Sequence, residues 1–182
     1  MQFCASIGVD ALILQDFTMI SRIRSIMPDI VLHLSTQAGV HNADGAATAK
    51  RLGFDRVILS REAMLEDIYK IRDTVDIELE MFVQGALCVS FSGNCYFSSL
   101  VSGYSGNRGK CMQLCRKPYT YHSKTAYWLS PKDICLADHV KQLIDAGVCS
   151  FKIEGRMRRP EYAGEAVKCY KSAVLGERYD LS

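Results

Sequence analysis

The sequence predicts an α/β protein whose parallel sheet is built from successive βα units. Short apolar runs alternate with amphipathic segments of about 10–15 residues, which is the pattern of strands joined by crossover helices. One stretch, at about 84–125, breaks this alternation with Gly, Ser, Cys and Tyr and predicts an inserted functional loop. The 182 residues are 48% hydrophobic and 23% charged. That balance excludes disordered, collagen-like and coiled-coil chains.

In the first half of the chain, capping and turn residues separate the elements. Pro28 ends a helix that Asp16 can cap, and Gly53 stops a helix that Asn42 can cap. A third helix starts at Ser60. The predicted strands are 10–15, 31–36, 56–59 and 77–83, and the predicted helices are 16–27, 42–52 and 60–74.

The alternation resumes after the inserted stretch. Ser130, Pro131 and Asp133 stand in the order of an N-cap, a first-turn proline and a first-turn acid, and Gly147 ends the helix that they predict. Pro160 opens the last helix. The predicted strands are 127–129 and 150–154, and the predicted helices are 130–146 and 160–175.

Charge is unevenly distributed along the chain. Residues 1–105 carry 8 Lys and Arg against 12 Asp and Glu, whereas residues 106–182 carry 14 against 8. The basic second half favours an anionic partner such as RNA or a carboxylate-bearing small molecule, with a solvated basic face as the alternative. The apolar runs are far shorter than the ~20 residues of a membrane span. Since the first residues also lack a signal-peptide pattern, we predict a cytoplasmic protein with no membrane partner.

Eight cysteines indicate a metal or cluster site in a reducing compartment rather than a disulfide framework. Four of them lie in the inserted stretch with the spacing Cys88-x6-Cys95-x15-Cys111-x3-Cys115. Iron–sulfur clusters are commonly held by four thiolates at loose spacings, whereas structural zinc usually shows two tight pairs. We therefore predict a 4Fe–4S cluster, with zinc and free packed thiols as alternatives.

The remaining cysteines favour other roles. Cys4, Cys149 and Cys169 fall inside predicted elements, where cysteine behaves as a small hydrophobic residue. Cys135 and His139 lie four apart on a predicted helix and so share one face. They form an alternative ligand pair, with Cys135 competing with Cys115 as the fourth cluster ligand.

Several motifs carry a family resemblance over essentially the whole chain. They are LSTQA at 34–38, EMFVQGALC at 80–88 with SGNC at 92–95, GNRGKC at 106–111 with the following Cys115-Arg116, and KIEGR at 152–156. In this order the motifs resemble the collagenase-like peptidase family, number thirty-two of the peptidases of unknown mechanism.

The resemblance implies a TIM-barrel-like core whose 4Fe–4S cluster is held by Cys88, Cys95, Cys111 and Cys115. It also implies hydroxylation of tRNA or rRNA bases with prephenate as hydroxyl donor, and other members act in oxygen-independent hydroxylation of a quinone precursor. The tight Cys111–Cys115 pair resembles the RNA-hydroxylating branch. Family members have about three further βα units before Asp10, out of the eight of a full barrel. Residues 1–182 are therefore expected to form a single, N-terminally truncated TIM-barrel-like domain.

Alternation within the strands predicts a polar group facing the interior of the barrel. In residues 151–156 the apolar and charged side chains have opposite parity, and successive side chains of a strand point to opposite faces. The predicted inward residues are His33, Gln37, Glu80, Lys152, Glu154 and Arg156. We assign Glu80 and Glu154 as catalytic acids or bases and the other four to substrate binding. The alternative is a structural salt-bridge network.

The most specific hypothesis is iron–sulfur-dependent hydroxylation of an RNA pyrimidine. Aromatic side chains that can stack on bases lie among the basic residues, namely Tyr96, Phe97, Tyr104, Tyr119 and Tyr121. A peptidase is the first alternative, although the chain has no HExxH motif and no Gly-x-Ser-x-Gly elbow. Quinone-precursor hydroxylation and a non-catalytic, cluster-bearing fragment are the others.

Overall fold

A computed structural model describes residues 2–156, 158–177 and 179. The helices are α1 (Gln2–Ile7), α2 (Ile20–Arg24), α3 (Ala43–Arg51), α4 (Leu65–Thr74), α5 (Phe97–Ser102), α6 (Val140–Asp145) and α7 (Pro160–Leu175). The strands are β1 (Ala11–Leu14), β2 (Val31–Leu34), β3 (Arg56–Ile58), β4 (Glu78–Gly85), β5 (Tyr119–Tyr121), β6 (Lys124–Ala126), β7 (Ile134–Cys135) and β8 (Val148–Ile153).

The main sheet is parallel and open. Strands β1, β2, β3, β4 and β8 are neighbours in that order, and each pair is parallel. The short strand β7 adds an antiparallel pair at Gln84 and Gly85, the end of β4. Within the described part of the chain β1 and β8 do not pair, so the sheet does not close into a barrel. The prediction of an α/β fold with parallel βα units is confirmed.

One face of the sheet forms the hydrophobic core. Leu32, Leu34, Val57, Leu79 and Val83 are nearly inaccessible to solvent and belong to one cluster with helix residues. Helices α3 and α4 contribute residues spaced three apart, the spacing that places side chains on one helix face. The opposite face of the sheet carries the polar side chains. This one-sided core follows from the strict alternation of the strands.

Several predicted helix boundaries are confirmed. The side chain of Asn42 accepts a hydrogen bond from the Gly45 amide at 2.9 Å and caps α3. Asp16 accepts one from the Thr18 amide at 3.0 Å and caps a short 3₁₀ helix before α2. Helix α7 begins at Pro160, as predicted. Helix α4 begins at Leu65 rather than at Ser60, because the Met64 amide donates to Asp67 Oδ2 at 3.1 Å and the helix is capped there.

The predictions for residues 127–139 are wrong, whereas the predicted helix end before Gly147 is confirmed. Residues 127–129 form a turn, and 130–146 contain β7, the 3₁₀ helix Ala137–His139 and α6 in place of one long helix. Arg116 donates to the Pro131 carbonyl at 2.5 Å and pairs with Asp133 at 3.0 Å, which removes the proline and the acid from a helix start. Cys135 and His139 therefore do not share a helix face.

The inserted stretch contains regular elements of its own. Helix α5 and the antiparallel hairpin β5–β6 lie within residues 84–125, where no secondary structure was predicted. Outside this stretch, Cys4 and Cys169 are partly buried, but Cys149 is exposed on edge strand β8, so its predicted packing in the core is wrong. No helix in the described ranges combines the length and apolarity needed to cross a membrane.

Candidate active site at the carboxyl ends of the strands

A buried carboxylate organises the polar face of the sheet. Glu80 is 7% exposed, and its Oε1 accepts a hydrogen bond from Lys152 Nζ at 2.9 Å. Its Oε2 accepts from Ser150 Oγ at 2.9 Å and from Arg56 Nη1 at 3.2 Å. Burial raises the pKa of Glu80, but the bonds from Lys152 and Ser150 outweigh it and hold that pKa below its ordinary value. Glu80 is therefore an ionised residue that fixes its cationic neighbours, as the salt-bridge alternative requires.

His33 of β2 lies on the same polar face, two strands away from Glu80. It pairs in register with Arg56 of β3. Burial and then the charge of Arg56 lower the pKa of His33 below its ordinary value, so its imidazole is neutral at pH 7. We predicted that His33 binds substrate, but it is not one of the described residues that line the cavity at the strand ends.

That cavity of about 400 Å³ opens at the carboxyl ends of the strands. Parallel α/β folds bind ligands at this edge of the sheet. Its polar lining from the strands and their following loops consists of Gln37, Arg61, Lys152, Glu154 and Arg156. Five predicted site residues therefore meet one cavity or its supporting network: Gln37, Glu80, Lys152, Glu154 and Arg156.

All four cysteines of the inserted stretch line this same cavity. Burial raises the pKa of the Cys115 thiol, Cys88 raises it further, and Arg116 lowers it, while Cys111 and Cys95 add smaller increases. Cys115 therefore lies close enough to each of the other three thiols to interact with it. Among the residues that the structure describes, no three His, Cys, Asp or Glu side chains converge as ligands of a single metal ion. Cys135 is exposed and lies outside the cavity lining. The groups whose pKa it raises are Cys169 and Tyr170.

Backbone contacts dock the cysteine segment onto the strand ends. Gln37 Nε2 donates to the Gly106 carbonyl at 3.4 Å, and Arg156 Nη1 donates to the Gly109 carbonyl at 2.9 Å. Asn107 Nδ2 donates to the Gly93 carbonyl at 2.7 Å and closes the segment on itself. Gln37 and Arg156, which we predicted to bind substrate, thus each donate a hydrogen bond that holds the cysteine segment in place.

Gly93 makes the closest of these approaches. It has φ +81°, and a Cβ there would lie 2.0 Å from the Gln37 carbonyl oxygen. We expect Gly93→Ala to lower the free energy of unfolding by about 2–3 kcal/mol through this clash and the left-handed backbone. Urea denaturation checks the loss. Gly103→Ala is the matched control, because Gly103 has φ +71° with nothing within 4 Å of its Cβ position. Equal losses in the two variants would contradict the docking contact.

Glu154 has a freer carboxylate than Glu80. Its Oε1 accepts a hydrogen bond from the Arg156 amide at 3.1 Å, and no salt bridge to it occurs among the described residues. Gly85 fixes the adjoining backbone, since a Cβ at that position would lie 2.3 Å from the Glu154 carbonyl oxygen. Glu154 therefore remains available to a ligand in the cavity.

Sequence reasoning missed Arg61, which follows β3. Its guanidinium carbon lies 4.5 Å from the centre of the Phe82 ring, and Lys152 Nζ lies 5.7 Å from the same ring. The described residues place no carboxylate within salt-bridge distance of Arg61, whereas Lys152 is paired with Glu80. Arg61 is thus an uncompensated cation in the cavity wall. Its place directly after a strand was the available signal, because strand ends are where such sites lie.

A solved structure shares the fold. Thiamine phosphate pyrophosphorylase from Pyrococcus furiosus superposes with a TM-score of 0.53 at 15% sequence identity, covering 95% of this chain and 63% of that one. At that identity the likeness supports the α/β architecture alone.

Curated relatives are much closer in sequence. The chain is 40% identical, over 96% of its length, to the 23S rRNA 5-hydroxycytidine synthase of Escherichia coli, and 33% identical, over 92%, to tRNA hydroxylation protein P1 of Bacillus subtilis. It is 37% identical, over 80%, to a Porphyromonas gingivalis protein named collagenase. The chain spans only 28%, 43% and 40% of the lengths of these three relatives. The sequence pattern of Peptidase family U32 matches residues 1–176, and the chain therefore belongs to that family.

Proposed function

We propose that this chain carries the active site of a cytoplasmic enzyme that hydroxylates a pyrimidine base of tRNA or rRNA. The observation that carries the proposal is the single cavity shared by four cysteines, a free carboxylate and an uncompensated arginine. Two relatives that match nearly all of the chain are named for hydroxylation of tRNA or of cytidine in rRNA. The basic second half suits a polyanionic substrate.

The four thiols that line this cavity support a 4Fe–4S cluster, which we propose as the cofactor. Cys88, Cys95, Cys111 and Cys115 would hold it, since thiolates are the usual ligands of such clusters. When bound, the cluster supplies one-electron redox chemistry. Arg116 next to Cys115 offsets part of the thiolate charge.

The protein side chains bind and orient the substrates. Arg61 can bind a carboxylate of the small hydroxyl donor. We propose that this donor is prephenate. Glu80 fixes Lys152 so that its ammonium stays on the cavity side of β8, and Glu154 can accept a proton. Gln37 and Arg156 keep the cysteine segment over this site.

The direct test is complementation. A full-length protein carrying this chain should restore hydroxylated pyrimidine to the RNA of a strain that lacks its own enzyme, as measured by mass spectrometry of nucleosides. Gelatin cleavage by the same protein is the competing assay, because one relative is named collagenase. Cleavage that survives loss of the cluster, with no change in RNA nucleosides, would favour a peptidase.

Arg61 offers a sharper test of the binding site. We expect Arg61→Ala to lower kcat/KM for the anionic donor about 10- to 100-fold, because a charge-assisted hydrogen bond contributes ~1.5–3 kcal/mol. Iron content should stay unchanged, since Arg61 carries no thiolate. Arg51→Ala on the outer helix α3 is the matched control. Equal kinetics for both variants would remove Arg61 from the site.

A further inference from the structure

The inserted stretch is part of a long segment without negative charge. Residues 81–132 contain no Asp or Glu, but six Lys and Arg and one His. The nearest carboxylate along the chain, Asp133, is already paired with Arg116 and Arg158. Such a segment attracts polyanions, because it carries positive charges and no carboxylate of its own.

Within this segment, the β5–β6 hairpin presents aromatic and cationic side chains together. Tyr121 of β5 lies opposite Lys124 of β6 and is 67% exposed. Lys124 Nζ lies 5.5 Å from the centre of the Trp128 ring, which is 48% exposed. The indole N–H of Trp128 donates to the Tyr119 carbonyl at 2.9 Å and so fixes the ring. The Trp128 ring is therefore held against the hairpin.

The base of the hairpin packs against two residues of the cavity wall. The Tyr119 ring stacks on Phe97 with 6.3 Å between centroids, and its hydroxyl donates to the Leu114 carbonyl at 2.9 Å. Phe97 and Leu114 both line the cavity. The hairpin that carries the exposed rings is therefore anchored on the wall of the proposed active site.

The two turn residues of the hairpin have backbone conformations that glycine adopts more easily. His122 and Ser123 have φ of +43° and +61°, the left-handed conformations of a two-residue turn that Asn-Gly usually provides. The His122 ring packs edge-on against Tyr121, with 4.3 Å between centroids. A strained turn that keeps an imidazole at its tip is typical of a functional loop.

We propose that Tyr121, Lys124 and Trp128, with His122 at the tip, bind single-stranded RNA next to the base that enters the cavity. The aromatic rings stack on unpaired bases, and Lys124 neutralises a phosphate. The proposal rests on the RNA substrate of the proposed function and adds the surface and the form of RNA that it recognises. Charge favours RNA over a protein partner, because a polyanion matches a surface without carboxylates.

The chain has a single tryptophan, so Trp128 reports on this surface directly. The probe is an RNA hairpin with an unpaired pyrimidine loop, compared with a blunt duplex of equal length. The loop RNA should change Trp128 fluorescence saturably and bind more tightly than the duplex. Tyr121→Ala should raise Kd about 5- to 100-fold through loss of stacking. Lys124→Gln should reduce the slope of log K against log salt by about 0.7.

Two variants serve as matched controls. Thr120→Ala changes the neighbouring position of β5, and Lys70→Gln removes a charge from the outer helix α4. Both should bind RNA as the wild-type protein does. Unchanged Kd in Tyr121→Ala and Lys124→Gln would overturn the proposal. Trp128 fluorescence that does not change on addition of RNA would also overturn it, and this is the result expected if a protein segment covers this face.

Binding is measured without turnover, so the two proposals fail separately. If the variants lose RNA binding while no hydroxylated base is ever formed, the RNA surface stands and the proposed reaction falls. If hydroxylation proceeds while the variants keep the wild-type Kd, the reaction stands and the hairpin surface falls.

Discussion

Replacing Cys95 by Ala is expected to abolish the iron–sulfur cluster and its colour. The same result is expected for Cys88, Cys111 and Cys115, because the four thiols line one cavity and each would supply one ligand of the proposed cluster. Iron and sulfide analysis of anaerobically purified protein, with a visible absorption spectrum, measures the loss. Base hydroxylation should disappear with the cluster, which makes this the largest functional effect expected of any single substitution.

The other cysteines supply matched controls. Cys4→Ala and Cys169→Ala should keep the full iron content, since these residues lie in α1 and α7, away from the cavity lining. Cys135→Ala tests the competing ligand and should also keep it. A colourless protein that holds one zinc ion would contradict the cluster. Loss of iron in Cys135→Ala but not in Cys115→Ala would move the fourth ligand.

The largest expected effect on stability is at Glu80. Glu80→Ala should lower the free energy of unfolding by about 3 kcal/mol at pH 7, because Lys152 and Arg56 lose their shared buried partner. The shift in the urea midpoint measures it. Ser150→Ala removes only one neutral donor to the same carboxylate and should cost about 1 kcal/mol. Equal losses of unfolding free energy in Glu80→Ala and Ser150→Ala would contradict a central role for the Glu80 charge.

The same carboxylate predicts a pH dependence. The pKa of Glu80 lies below its ordinary value of 4.5 in the folded protein, so the unfolded chain binds its proton more readily. The contribution of Glu80 is therefore complete above pH 4.5 and is lost as the pH falls through the folded-state pKa. Glu80→Gln should flatten this acid limb of the stability curve. An unchanged limb would assign the acid sensitivity to other carboxylates.

Local pattern was a reliable guide wherever the deciding interaction was local. Helix α3 starts at Asn42 because that side chain caps an amide three residues away. Parity within β8 predicted that Lys152 faces the polar side, while Phe151 packs towards the core. Cysteine spacing predicted a common site, and the four thiols do share one cavity.

Local pattern failed where a distant partner competed. The helix signals at 130–133 are sound by themselves, but Arg116 binds both Pro131 and Asp133 from outside the segment. The antiparallel pairing of β7 with the end of β4 then takes the place of one more turn of helix. Capping preferences amount to about 1 kcal/mol, so two long-range polar contacts suffice to override them.

The sequence by itself determined the βα alternation of the first half, the shared face of Glu80 and Lys152, and the set of cysteines that line one cavity. Each depends on periodicity or spacing, which the chain carries in its own order. Only the tertiary structure decided that Glu80 is a fixed ion-pair partner, that Gln37 and Arg156 hold the cysteine segment, and that Arg61 stands free over Phe82. A charged residue is free or paired according to which neighbours the fold brings within about 4 Å, and no one-dimensional pattern contains that distance.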